Sequence, residues 1–91
     1  MAITQENIQM AIDMARDYGA TKIVLFGSAI NEPEKANDLD LAVDGIKGFK
    51  IFSYGNRLEE MLNIHVDVIP LDSNSKFIQH ILKYGKVIYE S

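Results

Sequence analysis

Two aspartates, Asp38 and Asp40, stand two residues apart inside the apolar run "DLDLAV", and a third, Asp67, interrupts "HVDVIP". Aspartate disfavours β-structure, yet both runs alternate between apolar and other residues as half-buried strands do. Residues two apart on a strand point the same way, with side chains about 6 to 7 Å apart along the chain. Asp38 and Asp40 therefore present paired carboxylates from a rigid support, and unneutralised they repel each other. If the strand carrying Asp67 lies beside theirs, a third carboxylate faces the same side, about 5 Å away per strand. Three convergent acids call for a cation.

Oxygen ligation in a chain without cysteine suits Mg²⁺, with Mn²⁺ as the alternative, and such ions keep waters and bind substrate phosphates. In a two-metal site Asp38 and Asp40 bridge both ions, and Asp67 holds the ion that activates an attacking hydroxyl. The reaction is then an in-line displacement at a phosphoryl group, driven by charge and positioning. The short run "KIVLF" leads directly into Gly27 and Ser28. Gly27 lacks a Cβ, so its backbone can approach a phosphate, and Ser28 offers its hydroxyl and N–H at a helix start. Asp38, Asp40 and Asp67 are thus the candidate catalytic and metal-binding residues, and Gly27 and Ser28 the candidate nucleotide-binding ones. His65 and His80 read as surface or boundary residues, and Met10, Met14 and Met61 as fillers on helix faces.

Several elements must position these groups. Thr4 is an N-cap, and Ile8, Ala11, Ile12 and Ala15 share one face of a helix over 5–18 that Gly19 stops. Lys22 to Phe26 is a buried strand, and Asn31 to Asn37, with Pro33, is a loop after one helical turn beginning at Ser28. Asp38 to Val43 is a strand with Leu39, Leu41 and Val43 on one face and Asp38, Asp40 and Ala42 on the other. After the turn "DGIKG", Ile51, Tyr54, Leu58, Met61 and Leu62 share a helical face, although Gly55 weakens that helix. In the strand "HVDVIP", Val66 and Val68 face the core while His65, Asp67 and Ile69 face away. Phe77, Ile78, Ile81 and Leu82 make a last amphipathic helix ending at Gly85, and "KVIY" adds a final strand. The pattern is a mixed α+β domain, a small mixed sheet with helices on one face and the aspartates on the uncovered one.

Composition limits the alternatives. The 91 residues are 47% hydrophobic and 24% charged, which fits one domain over 1–91 burying roughly 60 to 65% of its unfolded surface. The missing cysteine points to a reducing cytoplasm. "MAITQENIQMAIDMARDYG" lacks the layout of a signal peptide, and no apolar run approaches the ~18 residues that span a membrane. With a net charge of −4 and its nine Lys and Arg scattered, the chain is not built to track a nucleic-acid backbone. A nucleotide held through metal ions is compatible with that charge.

Taken together, "FGSAINEPEKANDLDLAV" followed by "HVDVIP" resembles the nucleotidyltransferase superfamily related to DNA polymerase β. The resemblance is to its minimal nucleotidyltransferase branch, the MntA-type antitoxins paired with HEPN-domain toxins. Gly-Ser, a loop, Asp-x-Asp and a later strand aspartate occur here in the family's order, and "ILKYGKVIYES" is similar to the usual end of such domains. The resemblance implies a polymerase β palm-like fold, triphosphate contacts from Gly27 and Ser28, and Mg²⁺ on Asp38, Asp40 and Asp67. It also implies transfer of AMP from ATP to a hydroxyl, a tyrosine of a HEPN toxin, with the partner protein supplying the acceptor surface. One departure stands out: many relatives carry a basic residue soon after Gly-Ser, where this chain has Ala29, Ile30, Asn31 and Glu32, with Lys35 the nearest substitute. That departure supports an alternative, a catalytically weak or inactive module that neutralises its partner by binding alone.

Overall fold

At the start of the chain Thr4 Oγ1 accepts a hydrogen bond from the Asn7 N–H, while Asn7 Oδ1 accepts one from the Thr4 N–H, at 3.1 and 3.0 Å. This reciprocal cap satisfies two donors that a helix start would otherwise leave unpaired. It launches α1, Gln5–Asp17, in a computed structural model that describes residues 3–72 and 75–91. Seven further elements follow: β1 (Lys22–Phe26), α2 (Ser28–Asn31), β2 (Asp38–Asp44), α3 (Lys50–Leu62), β3 (His65–Pro70), α4 (Lys76–Tyr84) and β4 (Lys86–Glu90). Their order and the mixed α+β class are those the alternation patterns predict.

The strands form one sheet in the order β3-β2-β1-β4. β1 is antiparallel to both β2 and β4, whereas β2 and β3 run parallel. A parallel pair needs a crossover rather than a hairpin, and α3 provides it. Gly45 makes the exit from β2 possible: at φ +100° it lies so close to the α1–β1 turn that a Cβ would sit 2.6 Å from the Gly19 carbonyl oxygen and 2.8 Å from the Thr21 nitrogen. A side chain there is excluded both sterically and conformationally.

On one face of the sheet Ile23, Leu25, Leu39, Leu41, Val43 and Val66 pack with buried residues of α1 and α3. At the centre of that layer Tyr54 is fully buried, and its hydroxyl donates to the Ala11 carbonyl at 2.8 Å, tying α3 to α1. Burial pushes the Tyr54 phenol well above its ordinary pKa. Gly55 is tolerated mid-helix because α3 lies against β3 here, where a Cβ would be 3.4 Å from Val68 Cγ2.

Placement of the helices on a single face holds for α1 and α3 but not for α4. Val24 and Ala42 point to the opposite face, where Ile78 and Ile81 of α4 bury them and Phe26, Ile69 and Leu71 pack alongside. The face that carries the aspartates is therefore partly covered by α4, and the end where β2 and β3 begin, with Asp38, His65 and Asp67, stays exposed. Three residues expected on buried helical faces are exposed instead: Met61 at 57%, Phe77 at 56% and Leu82 at 48%.

Because the Tyr54 hydroxyl bond is buried, Tyr54→Phe should lower the unfolding free energy by about 1 kcal/mol. Tyr54→Ala, which adds a large cavity, should cost about 3 to 5 kcal/mol. Urea denaturation followed by circular dichroism measures both, and equal losses for the two variants would contradict this assignment of the core.

Candidate active site

The parallel register of β2 and β3 sets Asp40 opposite Asp67 and Asp38 opposite His65. Since Leu39, Leu41 and Val66 point into the main core, these four polar residues share the other face. All three aspartates singled out from spacing thus lie together on one side of two adjacent strands. Asp40 is half-buried, while Asp38 and Asp67 are exposed.

Gly27 closes the site on the other flank. Phe26, its predecessor, pairs with Asp40 across the β1–β2 ladder. Gly27 itself adopts φ +81° and ψ −159°, a backbone region essentially reserved for glycine. An added Cβ would collide with Asp40 Oδ2 and lie 3.1 Å from its carboxyl carbon. Glycine is required first by this backbone conformation, and the Asp40 carboxylate packs close against it. Ser28 follows at the exposed start of α2, whose Ala29 is buried as an anchor. Lys35, the nearest basic residue after this turn, is ion-paired with Glu32 at 3.4 Å and remains largely in solvent.

Electrostatics here are dominated by crowding of like charge. Asp40 is raised above the ordinary carboxylate range, first by burial and then by the charges of Asp67 and Asp38, with hydrogen bonding to Asp67 adding to the effect and His65 opposing it. His65 bridges two acids: its Nε2 lies 3.2 Å from Asp67 Oδ1 and its Nδ1 lies 3.2 Å from Glu59 Oε1. The same Glu59 oxygen accepts the Val66 N–H at 2.9 Å, so the side chain of α3 fixes the start of β3. His65 is raised above its ordinary value, chiefly by Asp67, with Asp38 and Glu59 reinforcing and burial opposing.

Sequence reasoning assigned His65 to the surface, and it is exposed, but it is also part of this cluster. The signal was available in its spacing, two residues before Asp67 on the same strand face. What spacing could not give is the register that sets it beside Asp38. Among the described residues no group of three or more His, Asp or Glu side chains is drawn close enough to enclose a metal ion. The donor set nonetheless fits a hard cation: carboxylate oxygens without sulfur, crowded so that one of them gains a proton affinity that added positive charge would remove.

Residues 6–91 match the family model described as "Polymerase beta, Nucleotidyltransferase". None of the curated proteins compared with this chain matches it. Among solved structures, the tri-AMPylated Shewanella oneidensis HEPN toxin in complex with MNT antitoxin aligns with a TM-score of 0.76 at 26% identity, covering 96% of this chain and 72% of that one. A toxin–antitoxin with AMP-PNP aligns with a TM-score of 0.77 at 25% identity, covering 98% and 75%. The MntA-HepT toxin–antitoxin aligns with a TM-score of 0.76 at 24% identity, covering 97% and 74%, a likeness of fold. No helix among the described residues is long and apolar enough to cross a membrane.

In the metal-free chain His65 should titrate above the ordinary histidine value of 6.5, and Asp67→Asn should bring it back down. The stabilisation tied to its protonation is then full below pH 6.5 and is lost as pH rises through the raised value. NMR titration of the imidazole protons checks this, and a His65 pKa unmoved by Asp67→Asn would contradict the contact.

Proposed function

The chain belongs to the polymerase β nucleotidyltransferase family, and from that membership we propose that it transfers the AMP moiety of ATP to a hydroxyl of a partner protein. The observation that carries this reading is the register that puts Asp40 beside Asp67 with the Gly27 backbone against Asp40. Carboxylates and a glycine turn are thereby brought to one spot on a rigid sheet, as phosphoryl chemistry requires. Asp38, Asp40 and Asp67 are the residues that would hold Mg²⁺, as two ions, with Mn²⁺ as a substitute. The chemistry such cations supply is neutralisation of phosphate charge and acidification of the attacking hydroxyl.

The chain's own residues do the rest. Gly27 and Ser28 receive the triphosphate, glycine by leaving room for close approach and serine by offering its hydroxyl. The acceptor oxygen attacks the α-phosphorus, the bond to the β-phosphate oxygen breaks, and pyrophosphate leaves with that electron pair. Asp67 takes the proton of the acceptor hydroxyl, and His65 orients the Asp67 carboxylate through its contact at 3.2 Å.

The partner in this reading is a HEPN-type toxin, the acceptor one of its tyrosines, and the chain an antitoxin of the cytoplasm. Two structural neighbours at 25 to 26% identity support it, one a tri-AMPylated HEPN toxin with its MNT antitoxin and the other a toxin–antitoxin with AMP-PNP. The surface is compatible with a protein partner, since Phe49 and Phe52 are 88% and 67% exposed at the start of α3. A second reading, neutralisation by binding alone, is favoured by one observation: no basic residue follows Gly27-Ser28 directly, and Lys35 is paired with Glu32.

Incubation of the chain with a HEPN partner, ATP and Mg²⁺ should add AMP to the partner, as read by intact-protein mass spectrometry. Asp38→Ala combined with Asp40→Ala should slow that addition by at least about a hundredfold. Loss of modification with full neutralisation retained by the double variant would instead establish the binding-only reading, and modification unaffected by the double change would refute the site.

A further inference from the structure

We propose that the cleft between α2 and α4 is the subsite for the nucleobase of the nucleotide, an inference that rests on the nucleotidyltransferase reading above. The cleft has a volume of about 480 Å³ and is lined by Phe26, Gly27, Asn31, Phe77, His80 and Tyr84, among others. That volume is in the range of small-ligand sites, and an aromatic lining with few polar groups is their usual composition.

Continuity with the carboxylates identifies the occupant. Gly27 lines the cleft and also packs against the Asp40 carboxylate, and Phe26 is the cross-strand neighbour of Asp40. A nucleotide with its phosphates at Asp40 and Ser28 therefore has its ribose and base within reach of Phe26 and of α4. The exposure pattern on α4 points the same way. Ile78 and Ile81 bury themselves against the sheet, yet Phe77 and Tyr84 are left 56% and 60% exposed on the cleft side. Phe77 stands edge-to-face on Phe26, with centroids 6.1 Å apart, and His80 lies against Tyr84 at 4.7 Å. These rings form a platform whose remaining apolar faces suit a stacked heterocycle. Asn31 also lines the cleft, and its side chain is a carboxamide, a group whose donor and acceptor match the edge of adenine.

Isothermal titration of the full chain with ATP and with inorganic tripolyphosphate, each with Mg²⁺, tests the proposal. The wild type should bind ATP at least about tenfold more tightly than tripolyphosphate. Phe77→Ala and Tyr84→Ala should each weaken ATP about five- to hundredfold, the range stacking on one ring spans, and leave tripolyphosphate unchanged. Tyr84→Phe, which keeps the ring, should bind ATP as the wild type does. Equal wild-type affinity for the two ligands, or equal weakening of both in the alanine variants, overturns the subsite and leaves the nucleotidyltransferase reading standing. A wild type that binds neither ligand overturns that reading and the subsite with it. Alanine variants that keep ATP affinity but lose a protein partner overturn the subsite and assign the cleft to that partner.

Discussion

The half-buried carboxylate of Asp40 is the constraint on which the rest of the site depends. It is held between Asp67 on one neighbouring strand and the Gly27 backbone just past the end of the other, with Asp38 two residues away. Burial and like charge both disfavour its ionised form, and His65 offsets only part of that. Such an arrangement costs stability, and folds retain costly charge clusters where a ligand relieves them. The turn beside it is built to admit this carboxylate, because Gly27 takes a glycine-only conformation and leaves open the space that Asp40 occupies.

Everything else in the molecule keeps that carboxylate in place. The parallel pairing of β2 and β3 sets the Asp40–Asp67 register, and a slip of β3 by one residue would turn Asp67 into the apolar layer, away from Asp40. Leu39, Leu41 and Val66 prevent the slip because they are already buried on the opposite face. The crossover through α3 is locked to α1 by the Tyr54 hydroxyl, and Glu59 on the same helix fixes both His65 and the start of β3. Core packing, strand register and site electrostatics are thus one connected arrangement rather than three separate features.

Most of this was legible in the sequence because it is written in period-two alternation. The bounds of β1, the capping of α1 by Thr4 and the shared face of Asp38 and Asp40 all match. Adjacency of Asp67 was conditional on strand pairing, which alternation does not encode, and the structure supplies the pairing. Two things were misread for physical reasons. Ala42 shares a face with the aspartates, and so small a side chain gave little sign that a helix covers it, yet with Val24 it forms the seat for α4. Phe77 and Leu82 follow the helical period of Ile78 and Ile81, but that face of α4 is narrower than the apolar stripe, which leaves aromatic surface at the mouth of the cleft. His65 shares its strand face with Asp67 by spacing alone, but the register that sets it beside Asp38 is not written in alternation.

The most direct test of this account is thermal unfolding of the wild type and of Asp40→Asn at neutral pH, with and without Mg²⁺. A folded state that raises the Asp40 pKa loses stability as pH climbs from the ordinary 3.8 through the raised value, and asparagine mimics the protonated form. Without metal, Asp40→Asn should melt above the wild type. Added Mg²⁺ should raise the wild type and leave the variant nearly unmoved, narrowing or reversing the difference. A metal-free variant that melts below the wild type, together with a wild type indifferent to Mg²⁺, would contradict the claim that these acids are gathered for a cation.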